Sequence, residues 1–210
     1  KRVPLNFGNS EQYPLRVGGR KIQDFNQDGT IDSNDKYYAG STLPAAYGGI
    51  TNRLTYKNWT LDVMMNYVIK RKMMNMVKNS AFNFTKTFGT IMADPSKVSF
   101  WQEPGDETDY PSLEFSDEGY IGQFDGDIDS NIENVNFLRL KSVTLSYKMP
   151  AKWFKNKIKG LSLYVTGQNL FLLTNYSGVD PEVVNPYTGK DTGEQYPLNR
   201  SVTFGFNLKF

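Results

Sequence analysis

The sequence predicts an all-β chain made of antiparallel strands from a transmembrane barrel, and three observations carry that reading. Residues 200–210, RSVTFGFNLKF, alternate apolar and polar to the last position: Val202, Phe204, Phe206, Leu208 and Phe210 fall on one side of an extended strand, and Ser201, Thr203, Gly205, Asn207 and Lys209 on the other. About 9–11 residues suffice for a tilted strand to cross the hydrocarbon layer. Four further stretches alternate in the same way. The connections between them are short and long by turns, as in a barrel whose loops are long on one side of the membrane.

In chain order, residues 1–23 carry Pro4, Pro14 and Gly18-Gly19 and read as loop holding one short strand. Residues 24–35 form a compact acidic loop. In AAYGGITNRLTYK, Ile50, Leu54 and Tyr56 share one face, and Thr51, Arg53, Thr55 and Lys57 the other. Asn58 is the turn. Trp59, Leu61, Val63, Met65 and Tyr67 then alternate against Thr60, Asp62, Met64 and Asn66, which makes a tight hairpin. From Lys70 to Asn134 the alternation lapses. KRKMMNMVKNSAFNF puts Met73, Met76 and Val77 on one face of a short helix, and the rest, with WQEPGDETDYP and FDGDIDSN, is rich in Pro, Gly, Asp and Glu. So long an irregular connection is uncommon inside a compact soluble domain.

Alternation resumes in VNFLRLKSVTLSYKM, where Val143, Leu145 and Tyr147 oppose Ser142, Thr144 and Ser146. Arg139 and Lys141 would share a face with Phe137 and Val143, a conflict of phase that requires a bulge near Leu138–Leu140 or places that end outside the lipid. PAKWFKNKIKG is a short basic turn with Trp153 suited to a membrane interface. LSLYVTGQNLFLL sets Leu161, Leu163 and Val165 against Ser162, Tyr164, Thr166 and Gln168. A second long loop, 174–199, leads into the terminal strand, 200–210. Five strands cannot close a barrel, so the chain reads as a fragment of one.

Composition agrees. No apolar run approaches the ~18 residues of a membrane helix, and a mean hydropathy of −0.53 is compatible with strands that average out as polar. The 13 Tyr and 14 Phe suit interfacial girdles, although sandwiches and sugar-binding surfaces are aromatic too. With 24 basic and 22 acidic residues the chain has no case for nucleic acid. There is no Cys and no His, which excludes disulfides, thiol nucleophiles, His-based zinc sites and Ser-His-Asp triads within these residues. The opening KRVPLNFGN lacks the apolar core of a signal peptide and reads as the interior of a longer chain.

DFNQDGTIDSND carries Asp24, Asn26, Asp28, Thr30, Asp32 and Asp35 at the first, third, fifth, seventh, ninth and twelfth positions, with Gly29 at the sixth and Ile31 at the eighth. Calcium loops use this spacing because alternate short oxygen side chains converge on one ion while the glycine permits the sharp turn. Asp35 replaces the usual Glu, closer to dockerin-type loops than to signalling EF-hands. The expectation is a structural calcium ion; a solvated Asx-rich turn is the plain alternative. A second acidic group, Asp125, Asp127 and Asp129, lacks the full register and reads as exposed loop charge.

Taken together, DFNQDGTIDSNDKYYAGSTLPAAYGGITNRLTYKNWTLDV, WQEPGDETDYP, NVNFLRLKSVTLSYKMP, LYVTGQNLFLLTNYSGVDPEV and YPLNRSVTFGFNLKF occur in an order that resembles the C-terminal part of SusC/RagA-type TonB-linked outer-membrane proteins of Bacteroidetes. The resemblance spans nearly everything after Gly18. It implies a 22-stranded barrel with an N-terminal plug, import of glycans or peptides driven by TonB through a part absent from this sequence, and a SusD-like surface lipoprotein as lid. It also implies outer-membrane lipid around the wall, with Val202, Phe204, Phe206, Leu208, Phe210, Leu161, Leu163 and Val165 facing it, and Phe210 as the signal for barrel insertion. The expected role is barrel wall and surface loop, not catalysis.

Within the long loops Trp101, Tyr110, Tyr176 and Tyr187 are placed to stack on sugar rings, or else to stiffen the loops by packing. A secreted, calcium-stabilised β-sandwich that binds carbohydrate explains the acidic loop and the aromatics equally well, but not the long loops or the terminal strand. A glycosidase using Asp106 with Asp109 or Glu103 is the weakest reading, because proximity in a Pro-Gly loop says nothing about a scissile bond.

Overall fold

The computed structural model describes residues 4–7, 11–14, 17–19, 22–31, 33–77, 99–108, 110–112, 115–116, 119–120, 128–154, 159–185 and 187–209. Its strands in chain order are β1 (Pro4–Phe7), β2 (Glu11–Pro14), β3 (Thr30–Ile31), β4 (Ala46–Tyr56), β5 (Trp59–Asn75), β6 (Phe115–Ser116), β7 (Gly119–Tyr120), β8 (Ile132–Met149), β9 (Gly160–Thr174), β10 (Lys190–Asp191) and β11 (Ser201–Lys209). The chain divides into two units, Lys1–Gly40 with Val77–Asn131, and Ser41–Met76 with Ile132–Phe210.

The second unit is an antiparallel wall. The five stretches that alternate in sequence become β4, β5, β8, β9 and β11, paired in that order, with β10 parallel to the end of β5. At one end the connections are tight. Lys57 and Asn58 alone join β4 to β5, with Lys57 in the left-handed region at φ 53, and a 3-10 turn, Ala151–Phe154, follows β8. At the other end the long connections leave β5 and β9.

Register converts the period of two into two faces. Leu54, Leu61, Leu145, Val165 and Phe204 lie side by side across five strands, and Tyr56, Trp59, Tyr147, Leu163 and Phe206 form the adjacent row. On the opposite face run Arg53, Asp62, Thr144, Thr166 and Thr203. The apolar rows are open: Leu54 is 59% exposed, Phe206 66% and Phe204 79%. A soluble protein does not leave a contiguous apolar face of this breadth in water, and a sandwich would cover it with a second sheet at about 10 Å. The outer strands β4 and β11 each have one partner among the described residues.

The phase conflict at Arg139 resolves as expected of a bulge. Lys141 is skipped in the pairing of β8 with both neighbours, where Leu140 and Ser142 are consecutive partners. Arg139 thereby joins the polar face while Val143 and Leu145 stay on the apolar one. Lys70 at φ 54 and Asn169 at φ 52 mark the matching irregularities of β5 and β9. Beyond them lies the unit's small core of Met73, Val135, Phe137, Tyr176 and Val184.

The short helix expected from Lys70 does not form there: β5 continues to Asn75, and helix is reached only at Met76 and Val77. Cross-strand pairing with β8 on one side and β10 on the other outweighs the helical spacing of the methionines, and Met73 is buried by it. The long connection accordingly begins after Asn75 and ends before Ile132.

In the first unit β1 pairs antiparallel with β2 and parallel with β3, and β6 with β7. Gly18 sits at φ +83 with the Trp101 ring 2.6 Å from where a Cβ would stand, and its carbonyl accepts the Ser112 N–H at 2.8 Å. A side chain there would displace the indole.

Candidate functional site

The acidic loop is curled by its own side chains. Asp24 accepts the N–H groups of Gln27 at 2.7 Å and Gly29 at 2.8 Å, and Asn26 accepts that of Asp28 at 3.1 Å. Asp28 accepts the Thr30 N–H at 2.7 Å, and Asp35, at the end of a 3-10 turn and 9% exposed, accepts the Phe25 N–H at 2.8 Å. Gln27 and Gly29 take positive φ, 60° and 81°, which makes the reversal. These are hard oxygen donors of the class calcium takes. Among the described residues no three acidic side chains converge as a ligand cluster; Asp32 lies outside those residues.

In the second acidic group Asp125 and Asp127 lie outside the described residues. Asp129 accepts a 2.8 Å hydrogen bond from the Tyr37 hydroxyl, which raises the pKa of that tyrosine. Asp106 accepts the N–H groups of Gln102 at 2.9 Å and Glu103 at 3.0 Å, and these bonds, Glu103's first, hold its carboxyl below the usual range. A glycosidase acid needs the opposite shift, so Asp106 does not fit that role, and its bonds to Gln102 and Glu103 shape the turn. Asp109 lies outside the described residues.

The four aromatics separate by burial. Tyr110 is buried beside Phe100, with ring centroids 5.7 Å apart, and Trp101 is half-buried. Tyr176 is buried, and its hydroxyl donates to Asp191 at 2.6 Å; burial first, then that bond, pushes its pKa well above the ordinary tyrosine value. Tyr187 is 93% exposed. Phe210 lies outside the described residues.

Residues 175–199 dock through a buried charge cluster whose partners the sequence reading missed. Arg139 Nη2 meets Asp180 at 2.5 Å with both side chains nearly inaccessible, and Arg139 Nε pairs with Glu182, which also takes Lys141 at 2.9 Å. Asp180 accepts in addition the N–H groups of Glu182 and Leu198 at 3.0 and 3.1 Å. Asn75 donates to Glu133 and Ser177, and the Met74 N–H reaches Gly189 at 3.0 Å. Arg139's conflicting phase was the available signal; nothing local points to Asp180. Lower on the polar face, Arg53 pairs with Asp62 at 2.5 Å, Thr144 bonds Thr166 at 2.8 Å, and the Tyr164 ring covers Gly205, 2.3 Å from its would-be Cβ.

An open two-faced sheet with short turns at one end, a docked long loop at the other and outer strands that each have one partner among the described residues defines a wall segment of an outer-membrane β-barrel. No family model matches the chain. It is similar to TonB-dependent receptor P26 of Formosa agariphila, 31% identical over 94% of this chain and 20% of that receptor. It is also similar to TonB-dependent receptor SusC of Bacteroides thetaiotaomicron, 30% identical over 89% of this chain and 17% of that one. Among solved structures, the RagAB peptide importer in its open-open state matches all of this chain and 22% of its own, with a TM-score of 0.63 and 26% identity. The chain spans about a fifth of the length of the curated relatives it matches. In sequence and in fold it is similar to a segment of the SusC/RagA type of TonB-dependent outer-membrane receptor.

Proposed function

We propose that these residues supply wall and surface loops to a nutrient importer of the outer membrane, driven by TonB and closed by a SusD-like lipoprotein. The observation that carries the reading is the continuous exposed apolar face backed by a polar one, on a chain similar over nearly its whole length to TonB-dependent receptors. The cargo is a glycan or a peptide; the peptide importer among the structural neighbours supports the second. Tyr187, exposed on a docked segment, is the aromatic best placed to meet cargo or lid. Deleting the whole receptor in its host and measuring uptake of labelled oligosaccharides and oligopeptides tests this directly. Loss of one uptake names the cargo class, and loss of neither refutes the proposal.

We further propose that the 24–35 loop holds one structural calcium ion, using Asp24, Asn26, Asp28, Thr30, Asp32 and Asp35. The curl built by Asp24 and Gly29 supports it, and the role of the ion would be to fix the loop.

A further inference from the structure

We propose that the short-turn rim of the wall is a binding belt for anionic glycerophospholipid headgroups. Charge is divided sharply along the second unit. Its Asp and Glu side chains are Asp62, Glu133, Asp180, Glu182, Asp191 and Glu194. Asp62 is paired with Arg53, and the other five belong to the strand ends and connections on the long-loop side. Among the described residues, every charged side chain at the short-turn end is cationic. Lys57, Lys148, Lys152, Lys159 and Lys209 are all exposed there. No acidic side chain occurs between residues 141 and 170 or between 200 and 210.

The same end carries amphipathic rings. Trp59 and Tyr147 pack with centroids 4.7 Å apart on the apolar face, beside Tyr56, and Trp153 is 60% exposed in the turn. Rings of this kind settle at headgroup level. Lysines just beyond them extend their stems along apolar surface and place ammonium groups among phosphates. Lys57 Nζ lies 5.2 Å from the ring centroid of Tyr56, a residue of the apolar face, so an ammonium and a girdle ring sit side by side at this end. Charge complementarity and continuity with the lipid-facing rows select an anionic lipid rather than an acidic protein as occupant. The inference rests on the wall and its membrane, not on what is imported.

The test places a photo-reactive benzoylphenylalanine at residue 153 of the whole receptor, in nanodiscs of equal phosphatidylglycerol and phosphatidylcholine, and identifies crosslinked lipid by mass spectrometry. The expected ratio favours phosphatidylglycerol about threefold or more. It falls to about one in the combined Lys57→Gln, Lys152→Gln, Lys159→Gln receptor, survives the matching Lys→Arg set, and falls without any lysine variant in about 0.5 M salt. Heat-modifiable electrophoretic mobility shows which variants are folded, and the salt series stands if the Gln set is not. An even ratio in the receptor with its lysines intact overturns the proposal. So does a preference indifferent to salt or to the Gln set, or crosslinking in cells to lipopolysaccharide or to a protein.

Discussion

Arg139→Met should release residues 175–199 from the wall while leaving the wall itself paired. The substitution keeps the volume of the side-chain stem but removes the guanidinium that faces Asp180 and Glu182. Removing one partner of a buried pair costs about 3–5 kcal/mol because the other charge stays buried. Two features favour the low end: Asp180 retains the N–H groups of Glu182 and Leu198, and Glu182 retains Lys141. Taking about 3 kcal/mol, the undocked population of the segment rises roughly 100-fold. Native-state hydrogen exchange of the detergent-solubilised receptor reads this at Leu198 and Met74, whose N–H groups bond Asp180 and Gly189. Amides of β8 and β9 midway along the wall should not change. Adding Asp180→Asn to the variant removes the stranded charge and should recover part of the loss. Exchange within twofold of the parent at both amides, or equal acceleration throughout β8, would show that the cluster does not hold the segment.

Three further outcomes follow. Gly205→Ala should destabilise the wall by about 1–3 kcal/mol, since its Cβ meets the Tyr164 ring at 2.3 Å; the check is the temperature at which heat-modifiable mobility is lost, and the double variant with Tyr164→Ala should be milder. Tyr176 has a folded pKa above its unfolded one, so its contribution is complete below pH ~10 and declines as pH rises beyond that. The anisotropy of a fluorophore attached at residue 187 should report that decline, and Tyr176→Phe should flatten it. Chelating calcium should raise protease cleavage within residues 24–35, and Asp24→Ala should abolish the difference; a chelator without effect on cleavage removes calcium from the account.

The strands were legible because a sheet with one face in lipid and one in a polar interior imposes the period of two without exception over many residues, as in Val202–Leu208. The phase conflict of Arg139 was legible for the same reason and called for a bulge near Leu138–Leu140 or an end outside the lipid; the pairing puts the bulge at Lys141. The end of β5 was not, because Met73, Met76 and Val77 satisfy a helical spacing as well as a strand, and the pairing that decides comes from Lys190–Asp191, far along the chain. Burial separated aromatics that residue type could not: Tyr176 and Tyr187 sit in the same loop, one buried on Asp191 and the other in solvent. Arg139 and Asp180 are 41 residues apart, and no local pattern joins them.

The irregularities of the wall lie at one height, and that height explains why buried charge is tolerated. From Met149 at the short-turn end to Arg139 is about ten residues, which at ~3.3 Å per residue and a tilt near 45° is about 23 Å of rise, close to the ~25 Å apolar band of such barrels. Lys70 and Asn169 occur after a similar run from Trp59 and Gly160. Below this level the alternation holds along the strands with few exceptions, such as Asn52 opposite Val63, because one face meets lipid. Above it the strands go on, 17 residues in β5 and 18 in β8 against the roughly 9–11 needed to cross. There the polar face exchanges threonines and serines for Phe137, Val135 and Met73, which form a core with the returning loop. Arg139 stands at the boundary. It lies on the polar face, and two carboxylates of the returning segment descend onto it. The phase conflict in the sequence is therefore the trace of a single physical transition, from a wall solvated by lipid to a rim that must supply its own core.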